Sequence, residues 1–261
     1  MATVFVTGGA SGIGAAVVLL AAERGARIAV VDADGAQAER TAAEATRRGA
    51  LEAIAIDADV RDELQVERAL ERCAEQLGTP AAILANAGVE LNGPPHELPL
   101  QQWQRSLDVN LTGAFLTARL AIRRLLAEGA AGSVVCTSSP AAFLGHAGGG
   151  NAAYAASKGG LTALVRSLAI DYAGDGIRVN AVVPGATDTP MLTVGVAAAE
   201  RERTRAELVE RAREQIPLRR MGEPVEIARA VWWLWSHESS YVTGSHLVVD
   251  GGLTARSANT F

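Results

Sequence analysis

The sequence predicts an α/β fold, a single doubly wound parallel sheet with helices on both faces. Three observations indicate it. Short runs of β-branched and aliphatic residues alternate along the chain with longer helix-forming stretches. Most of these short runs are apolar throughout, as expected for strands that are buried on both faces. Polar or glycine-containing motifs follow the strands, at the end of the sheet where such folds bind ligands.

Composition limits the domain count and the class of partner. A chain of 261 residues, 49% hydrophobic and 20% charged, can bury one large core, so we expect one domain over residues 1–261. The net charge of −5 argues against nucleic acid, which requires a basic surface. Because the apolar run Ala15–Ala22 is too short for a membrane span and Met1 leads directly into a strand, we expect a cytoplasmic protein. Cys73 and Cys136 fall in apolar patterns that are typical of buried thiols.

The first elements predict a binding site for pyrophosphate. Thr3–Thr7 is a β-branched and aromatic run, and a glycine-rich loop separates it from an apolar helix that ends at Gly25. Glycines let backbone N–H groups approach an anion, and the dipole of the following helix favours negative charge there. The spacing is Gly-x-x-x-Gly-x-Gly, which departs from the Gly-x-Gly-x-x-Gly dinucleotide fingerprint. The loop residues that we expect at the pyrophosphate are Gly8, Ser11, Gly12, Ile13 and Gly14.

A second strand, Arg27–Val31, ends at Asp32, which follows Gly14 by 18 residues. A dinucleotide-binding Rossmann domain has an acidic residue at about this place, where it accepts hydrogen bonds from the adenosine ribose. Its carboxylate also repels a 2′-phosphate, so Asp32 favours NAD over NADP. The alternative is that Asp32 only begins a turn, and the two roles are compatible.

The remaining elements continue the alternation. Gly78 is expected to end the third helix, and the lengths of the runs separate helices from strands. Helices are predicted at 36–48, 62–77, 100–126, from about 151, and 224–235, and strands at 53–56, 81–85, 133–138, 177–183 and 247–249.

The helix that starts near residue 151 carries Tyr154 and Lys158. Residues four apart lie on the same helix face, so the two side chains are neighbours. A phenol with an ordinary pKa of about 10 is a poor base at neutral pH, and a nearby ammonium together with a cationic cofactor ring lowers that pKa. We therefore predict that Lys158 makes Tyr154 a general base. A chance pair of helical residues is the alternative that the rest of the chain argues against.

Six motifs, in order along the chain, resemble those of the short-chain dehydrogenase/reductase family. The resemblance extends from about residue 3 to residue 252. It implies a nicotinamide cofactor, hydride transfer between a secondary alcohol and a ketone, and assembly as a homotetramer or dimer. The motifs are Thr7-Gly8-x-x-x-Gly12-x-Gly14, Asn86-Ala87-Gly88, Asn110, an upstream serine, Tyr154-x-x-x-Lys158 and Pro184-Gly185.

The resemblance also assigns roles. It implies that Asn110, Ser139, Tyr154 and Lys158 are catalytic, with Asn110 interrupting its helix and holding a proton-relay water. Tyr154 and Lys158 are also expected at the cofactor. The other residues that the resemblance places there are Asp59 and Val60 at the adenine, Asn86, Ala87 and Gly88 after the fourth strand, and Pro184, Gly185, Thr187 and Thr189 near the nicotinamide. For Asp188 and Thr189, capping of the next helix is the alternative.

The catalytic serine has two candidates, because Ser138 and Ser139 both close the fifth strand. Ser139 precedes Tyr154 by 15 residues, two more than in the family pattern. We interpret the difference as an insertion in the loop that contains Gly148, Gly149 and Gly150. We assign catalysis to Ser139, with Ser138 as the alternative. His146, in this loop, is a candidate for contact with substrate or a solvated histidine.

The substrate is not predicted beyond its class. Residues 191–217 are expected to form a mobile lid. The favoured hypothesis is an NAD-dependent dehydrogenase of a small or cyclic alcohol, hydroxy acid or sugar. A 3-oxoacyl-thioester reductase is a second, against which Asp32 and the net charge argue, and a non-catalytic NAD sensor is a third. No metal is expected, because the histidines lack ligand spacing.

Overall fold

A single sheet of seven parallel strands forms the centre of the protein. The computed structural model describes residues 3–145, 148–193 and 195–256. The strand order is β3-β2-β1-β4-β5-β6-β7. The strands are β1 (Thr3–Thr7), β2 (Arg27–Asp32), β3 (Glu52–Asp57), β4 (Ala82–Ala85), β5 (Gly132–Thr137), β6 (Ile177–Pro184) and β7 (His246–Val249).

Helices cover both faces of this sheet, which confirms the predicted doubly wound α/β fold. One hydrophobic core lies beneath α3, α5 and α6, and a second lies beneath α1, α2 and α8. None of the described helices combines the length and apolarity that a membrane crossing requires. The helices are α1 (Gly12–Glu23), α2 (Gly35–Arg47), α3 (Glu63–Leu77), α4 (Leu100–Leu107), α5 (Gly113–Ala127), α6 (Ala152–Tyr172), α7 (Arg201–Gln215) and α8 (Pro224–Trp235).

Local sequence signals account for the ends of α3. Asp62 caps its first turn by accepting hydrogen bonds from the backbone N–H groups of Leu64 and Gln65, and Gly78 ends it with a φ of 88°. Cys73 lies on the buried face, where burial raises the pKa of its thiol to about 12. Burial likewise raises the pKa of Cys136, in β5, to about 12. Both thiols are therefore unreactive near neutral pH.

The stretch predicted as one helix over 100–126 is interrupted. A π-helical segment, Asp108–Thr112, separates α4 from α5 and contains Asn110. Such segments are uncommon and often occur at functional sites. The interruption that the resemblance implied is therefore present.

The order in which the chain adds strands reverses between the neighbouring strands β1 and β4, while all strands keep the same direction. From β1 the strand order runs outward to β3 on one side and from β4 to β7 on the other. In parallel sheets a crevice opens at the carboxyl ends of the strands at such a point. Helix α7 belongs to neither layer, and four of its residues border this crevice. The fold thus brings the ends of β1 to β6 and one face of α7 together.

Candidate active site

A cleft of about 810 Å³ lies at the carboxyl ends of the strands. It brings together most of the residues predicted from sequence. Gly14 and Asn110 are the exceptions, because they do not line the cleft. The predicted residues that line it are Gly8, Ser11, Gly12, Ile13, Asp32, Asp59, Val60, Asn86, Ala87, Gly88, Ser139, Tyr154, Lys158, Pro184, Gly185, Thr187 and Thr189.

The glycine loop leaves space for a bound group. Gly12 has a φ of 54°, in the left-handed region that favours glycine, and a Cβ added there would point at Thr189, 3.4 Å away. At Gly14 a Cβ would lie 2.0 Å from the Gly8 carbonyl oxygen, so no side chain fits. Within the described chain, no side chain caps the N terminus of α1. Its first N–H groups are therefore available to an anion, as the pyrophosphate hypothesis requires.

Asp32 is held in place at the end of β2. One carboxylate oxygen accepts a hydrogen bond from the Ala10 N–H and the other from the Asp34 N–H, each at 3.0 Å. An ionised carboxylate has about four acceptor sites, so capacity remains for further donors. The turn role and the ribose role are thus compatible in the structure.

Asp59 and Val60 border the cleft beyond β3. The Arg61 guanidinium forms an ion pair with the Asp59 carboxylate and holds the pKa of that carboxyl below its usual range. Val60 is buried and packs against Gly113 of α5, where a Cβ would lie 2.6 Å from the Val60 side chain. The position of this edge of the cleft is therefore fixed by α5.

Asn86 connects three strand ends. Its Nδ2 donates to the Gly8 carbonyl at 3.1 Å, and its Oδ1 accepts from the Thr137 hydroxyl at 3.0 Å. The Thr7 hydroxyl in turn accepts from the backbone N–H of Asn86 at 3.1 Å. The amide thus holds the glycine loop beside β5, and direct contact of its side chain with a cofactor stays a prediction.

Asn110 is 1% exposed, and both the oxygen and the nitrogen of its side-chain amide form hydrogen bonds. Its Oδ1 accepts from the Val89 N–H at 2.8 Å, and its Nδ2 donates to the Val89 carbonyl at 2.9 Å and to the Ser157 hydroxyl at 3.0 Å. The side chain therefore fixes the segment after β4 against α6. A relay water at Asn110 stays a prediction.

The two candidate serines differ in environment. Ser138 is 2% exposed, and its hydroxyl lies 3.2 Å from that of Thr162, within the core behind the strand. Ser139 is half-buried and lies beside the Tyr154 phenol, where it works to lower the pKa of that phenol. Both serines border the cleft, and only Ser139 meets Tyr154 among the contacts of the described residues.

Lys158 and Tyr154 lie side by side on α6. The ammonium lies over the ring of Tyr154, 5.5 Å from its centroid, and donates to the Thr137 carbonyl at 2.6 Å. Lys158 is 4% exposed, and burial lowers its pKa to about 8. Its positive charge is thus only partly retained above that pH.

The predicted lowering of the Tyr154 pKa by Lys158 and a cationic cofactor ring stays a prediction for the complex with cofactor. In the protein alone, burial, with a further contribution from the Glu90 carboxylate, raises the pKa of Tyr154 to about 12. Burial penalises the phenolate because it removes water that would solvate the charge. Ser139 opposes this rise in the pKa and does not overcome it. The protein alone therefore favours a protonated Tyr154.

The segment after β6 joins the cleft to α7. Thr187 pairs with Gly222, and Thr189 faces the glycine loop. The Asp188 carboxylate forms an ion pair with Arg205 of α7 rather than capping the next turn. The segment is thereby fixed to the predicted lid, and whether the lid moves stays a prediction.

Comparison with known proteins identifies the family. A family model described as enoyl-(acyl carrier protein) reductase, of the short-chain alcohol dehydrogenase group, matches residues 8–254. Cis-4-hydroxycyclohexanecarboxylate dehydrogenase of Sinomonas cyclohexanicum is 41% identical over 96% of this chain and 95% of its own length. The chain belongs to the short-chain dehydrogenase/reductase family. It is an oxidoreductase of a family that uses nicotinamide cofactors.

Further relatives agree with this assignment. The 2-(S)-hydroxypropyl-CoM dehydrogenase 3 of Xanthobacter autotrophicus is 36% identical over 96% of this short-chain dehydrogenase/reductase and 95% of its own length. The crystal structure of levodione reductase superimposes with a TM-score of 0.91 at 32% identity, covering 98% of each chain. The similarity therefore extends over the whole fold.

The substrate side of this dehydrogenase/reductase includes residues that sequence reasoning missed. Their only signals were a position just after the β4 motif, in the loop between Ser139 and Tyr154, or in the predicted lid. His146 lies outside the described residues. The missed residues that line the cleft are Glu90, Leu144, Met191, Leu192, Leu208, Arg211 and Gln215.

Proposed function

We propose that this protein is an NAD-dependent oxidoreductase that interconverts a secondary alcohol and a ketone by hydride transfer, with Tyr154 as general base and acid. One observation carries the proposal. Ser139, Tyr154 and the buried Lys158 line the same cleft as the glycine loop and Asp32. A proton-transfer group and a dinucleotide cradle thus share one space.

The residues present fit a nicotinamide dinucleotide. The glycine loop borders the cleft at Gly8 and Gly12, the uncapped amides of α1 suit the pyrophosphate, and Asp32 retains acceptor capacity for ribose hydroxyls. Gly88 borders the same cleft, and a Cβ there would lie 3.3 Å from the Asn110 Oδ1. When bound, the nicotinamide accepts or supplies the hydride.

The side chains handle the proton. In oxidation Tyr154 takes the hydroxyl proton of the alcohol, and in reduction its phenol protonates the developing alkoxide. The Ser139 hydroxyl donates a hydrogen bond to the substrate oxygen and stabilises the charge that grows there. Lys158 holds its ammonium beside both groups, and Asn110 positions α6 through Ser157.

The substrate that we propose is a small secondary alcohol, preferably cyclic. The names of two relatives, a hydroxycyclohexanecarboxylate dehydrogenase and levodione reductase, support a ring, and the cleft wall is apolar at Met191, Leu192 and Leu208. A 3-oxoacyl-thioester reductase is the alternative; the description of the family model shares with it the acyl carrier protein and names reduction of an enoyl group instead of a 3-oxo group. Asp32 and the net charge of −5 argue against it, since an acidic carrier favours a basic surface.

A substrate panel tests the proposal. Cyclic and linear secondary alcohols, the matching ketones and a 3-oxoacyl thioester are each assayed with NAD(H) and NADP(H) at the nicotinamide absorbance. We expect turnover of cyclic alcohols with NAD. Thioester reduction with NADPH alone supports the alternative, and cofactor binding without any turnover supports an NAD sensor.

We also propose that the protein is cytoplasmic and self-associates as a homotetramer or dimer, as the resemblance implies. Light scattering coupled to size exclusion measures the assembly. A monomer at micromolar concentration contradicts it.

A further inference from the structure

The segment that follows β4 holds Glu90 at a fixed place in the cleft. On one side, both backbone groups of Val89 are bound by the Asn110 side chain. On the other side, the Gly93 N–H donates to the Gly150 carbonyl at 2.7 Å. Glu90 lies one residue from the first anchor and three from the second, and it lines the cleft wall. The backbone position of Glu90 is therefore set by contacts to Asn110, which also holds α6, and to the loop at Gly150.

The Glu90 carboxylate acts on the reacting groups. Glu90 lines the same cleft as Tyr154 and Lys158, and its charge raises the pKa of both. It is half-buried, and it forms no ion pair with any residue in the described ranges. Its hydrogen bond comes from the Asn92 amide, 3.0 Å from Oε1. A carboxylate that is partly desolvated with spare acceptor sites gains free energy from a further donor.

We propose that Glu90 is a specificity-determining residue, which accepts a hydrogen bond from a second hydroxyl of the substrate and disfavours a carboxylate beside the reacting carbinol. Hydrogen bonds to an ionised acceptor are roughly twice as strong as those between neutral groups, so a diol gains more than a simple alcohol. A substrate carboxylate meets like charge instead, which specificity commonly exploits. The inference rests on the proposed function, because it requires that substrate reach Tyr154.

A second carboxylate of the same loop shows what is particular to Glu90. Glu97 lies seven residues further on, is exposed and neighbours His96 at 3.4 Å. It does not line the cleft. Glu97 therefore provides a matched control that removes one negative charge nearby without changing the cleft wall.

The experiment compares ratios of kcat/KM. The wild-type protein, Glu90→Gln and Glu97→Gln are assayed with NAD on cyclohexanol, cyclohexane-1,2-diol and 2-hydroxycyclohexanecarboxylate. Ratios are needed because the charge of Glu90 also acts on Tyr154, and that effect is common to all three substrates. We expect Glu90→Gln to lower the diol-to-cyclohexanol ratio by about fivefold and to raise the hydroxy-acid-to-cyclohexanol ratio by about tenfold. Glu97→Gln should leave both ratios within about twofold of wild type.

A binding measurement separates the inference from the proposed function. Calorimetric titration of cyclohexane-1,2-diol and cyclohexanol into Tyr154→Phe with NAD present, with and without Glu90→Gln, reports recognition without turnover. If the wild-type protein oxidises none of the alcohols but the diol preference in binding still depends on Glu90, the proposed function fails, while recognition of a second hydroxyl by Glu90 is supported. Turnover with ratios that do not respond to Glu90→Gln overturns the inference alone. No dependence of either rate or binding on Glu90 overturns it in every case.

Discussion

The ammonium of Lys158 lies over the ring of Tyr154, 5.5 Å from the ring centroid. Its hydrogen bond goes to the backbone carbonyl of Thr137 at the end of β5. Above the ring face, the charge interacts with the electrons of the aromatic system more than with the hydroxyl. This arrangement explains how an ammonium can adjoin a phenol whose pKa is raised to about 12. The proton donor for reduction is thus the resting form of Tyr154.

The pH dependence of the two directions should therefore differ. Oxidation requires the phenolate, so kcat/KM for an alcohol should rise with pH by about tenfold per unit below the apparent pKa. Reduction requires the phenol, so its kcat/KM should stay level through neutral pH and fall only in the alkaline range. The positive charge of the oxidised nicotinamide lowers the pKa of Tyr154, so the oxidation limb should end below 12.

Initial rates from pH 6 to pH 10 in both directions, in buffers of constant ionic strength, provide the measurement. Glu90→Gln serves as a second test, because removal of that charge should move the oxidation limb to lower pH. A flat oxidation profile between pH 6 and pH 9 would show that Tyr154 is already ionised at neutral pH.

Tyr154→Phe should lose at least ~10²-fold in turnover while NAD still binds, since only the proton-transfer group is removed. Tyr172→Phe is the matched control, because Tyr172 ends the same helix and packs against the core away from the cleft. Steady-state rates and the dissociation constant for NAD are measured for both variants. Activity within a few-fold of wild type in Tyr154→Phe would remove the residue from its assigned role.

Ser139→Ala should reduce turnover more than Ser138→Ala, by ~10-fold or more, because one hydrogen bond to the growing charge is lost. Ser138→Ala should instead reduce stability, since it leaves the buried Thr162 hydroxyl without this partner. Rates and denaturant midpoints for the two variants decide the question. A reversed order in turnover would mean that Ser138 is the catalytic serine.

The sequence predicted the elements whose signals are local. Asp62 and Gly78 mark the two ends of α3 by capping chemistry, which depends on a few neighbouring residues. The structure places those ends within one residue of the expected 62–77. The cleft could be predicted for a related reason. Residues at the carboxyl ends of parallel strands meet at one edge of the sheet, so their proximity follows from the strand assignments alone.

Features that depend on distant contacts were not visible in the sequence. The π-helical segment at Asn110 is held by Val89 and Ser157, neither of which is near it in sequence, and only the family resemblance indicated it. The rise in the Tyr154 pKa was not visible in the sequence because its causes, burial and the Glu90 carboxylate, are products of the tertiary structure. Glu90 itself carried no motif.

Ser106→Ala should stabilise the protein by about 1 kcal/mol. Ser106 in α4 is 0% exposed, and its hydroxyl has no hydrogen-bond partner among the described residues. The substitution removes an unsatisfied polar atom and adds a better helix former. Ser133→Ala is the control. The buried Ser133 hydroxyl donates to the Leu234 carbonyl at 2.9 Å, so its loss should destabilise the protein. Denaturant unfolding measures both, and a loss of stability in Ser106→Ala would reveal a partner for the hydroxyl.

Cofactor choice should depend on Asp32. Two backbone N–H groups hold its carboxylate at the cleft, where a 2′-phosphate of NADP would bring roughly −2 charge. Among the described residues Asp32 forms no ion pair, and the Arg40 Nε donates to the Gln37 amide oxygen instead of to Asp32. We therefore expect kcat/KM to favour NAD by at least ~10²-fold, about 2.7 kcal/mol.

Two substitutions test that preference. Asp32→Asn should narrow the ratio of kcat/KM for NAD to that for NADP by ~10-fold or more, because the repelling charge is removed while an acceptor remains. Asp34→Asn removes a neighbouring charge that lies outside the cleft and keeps a side chain able to cap α2, so its ratio should stay within a few-fold of wild type. Equal efficiencies with NAD and NADP in the wild-type protein would mean that Asp32 serves only the turn after β2.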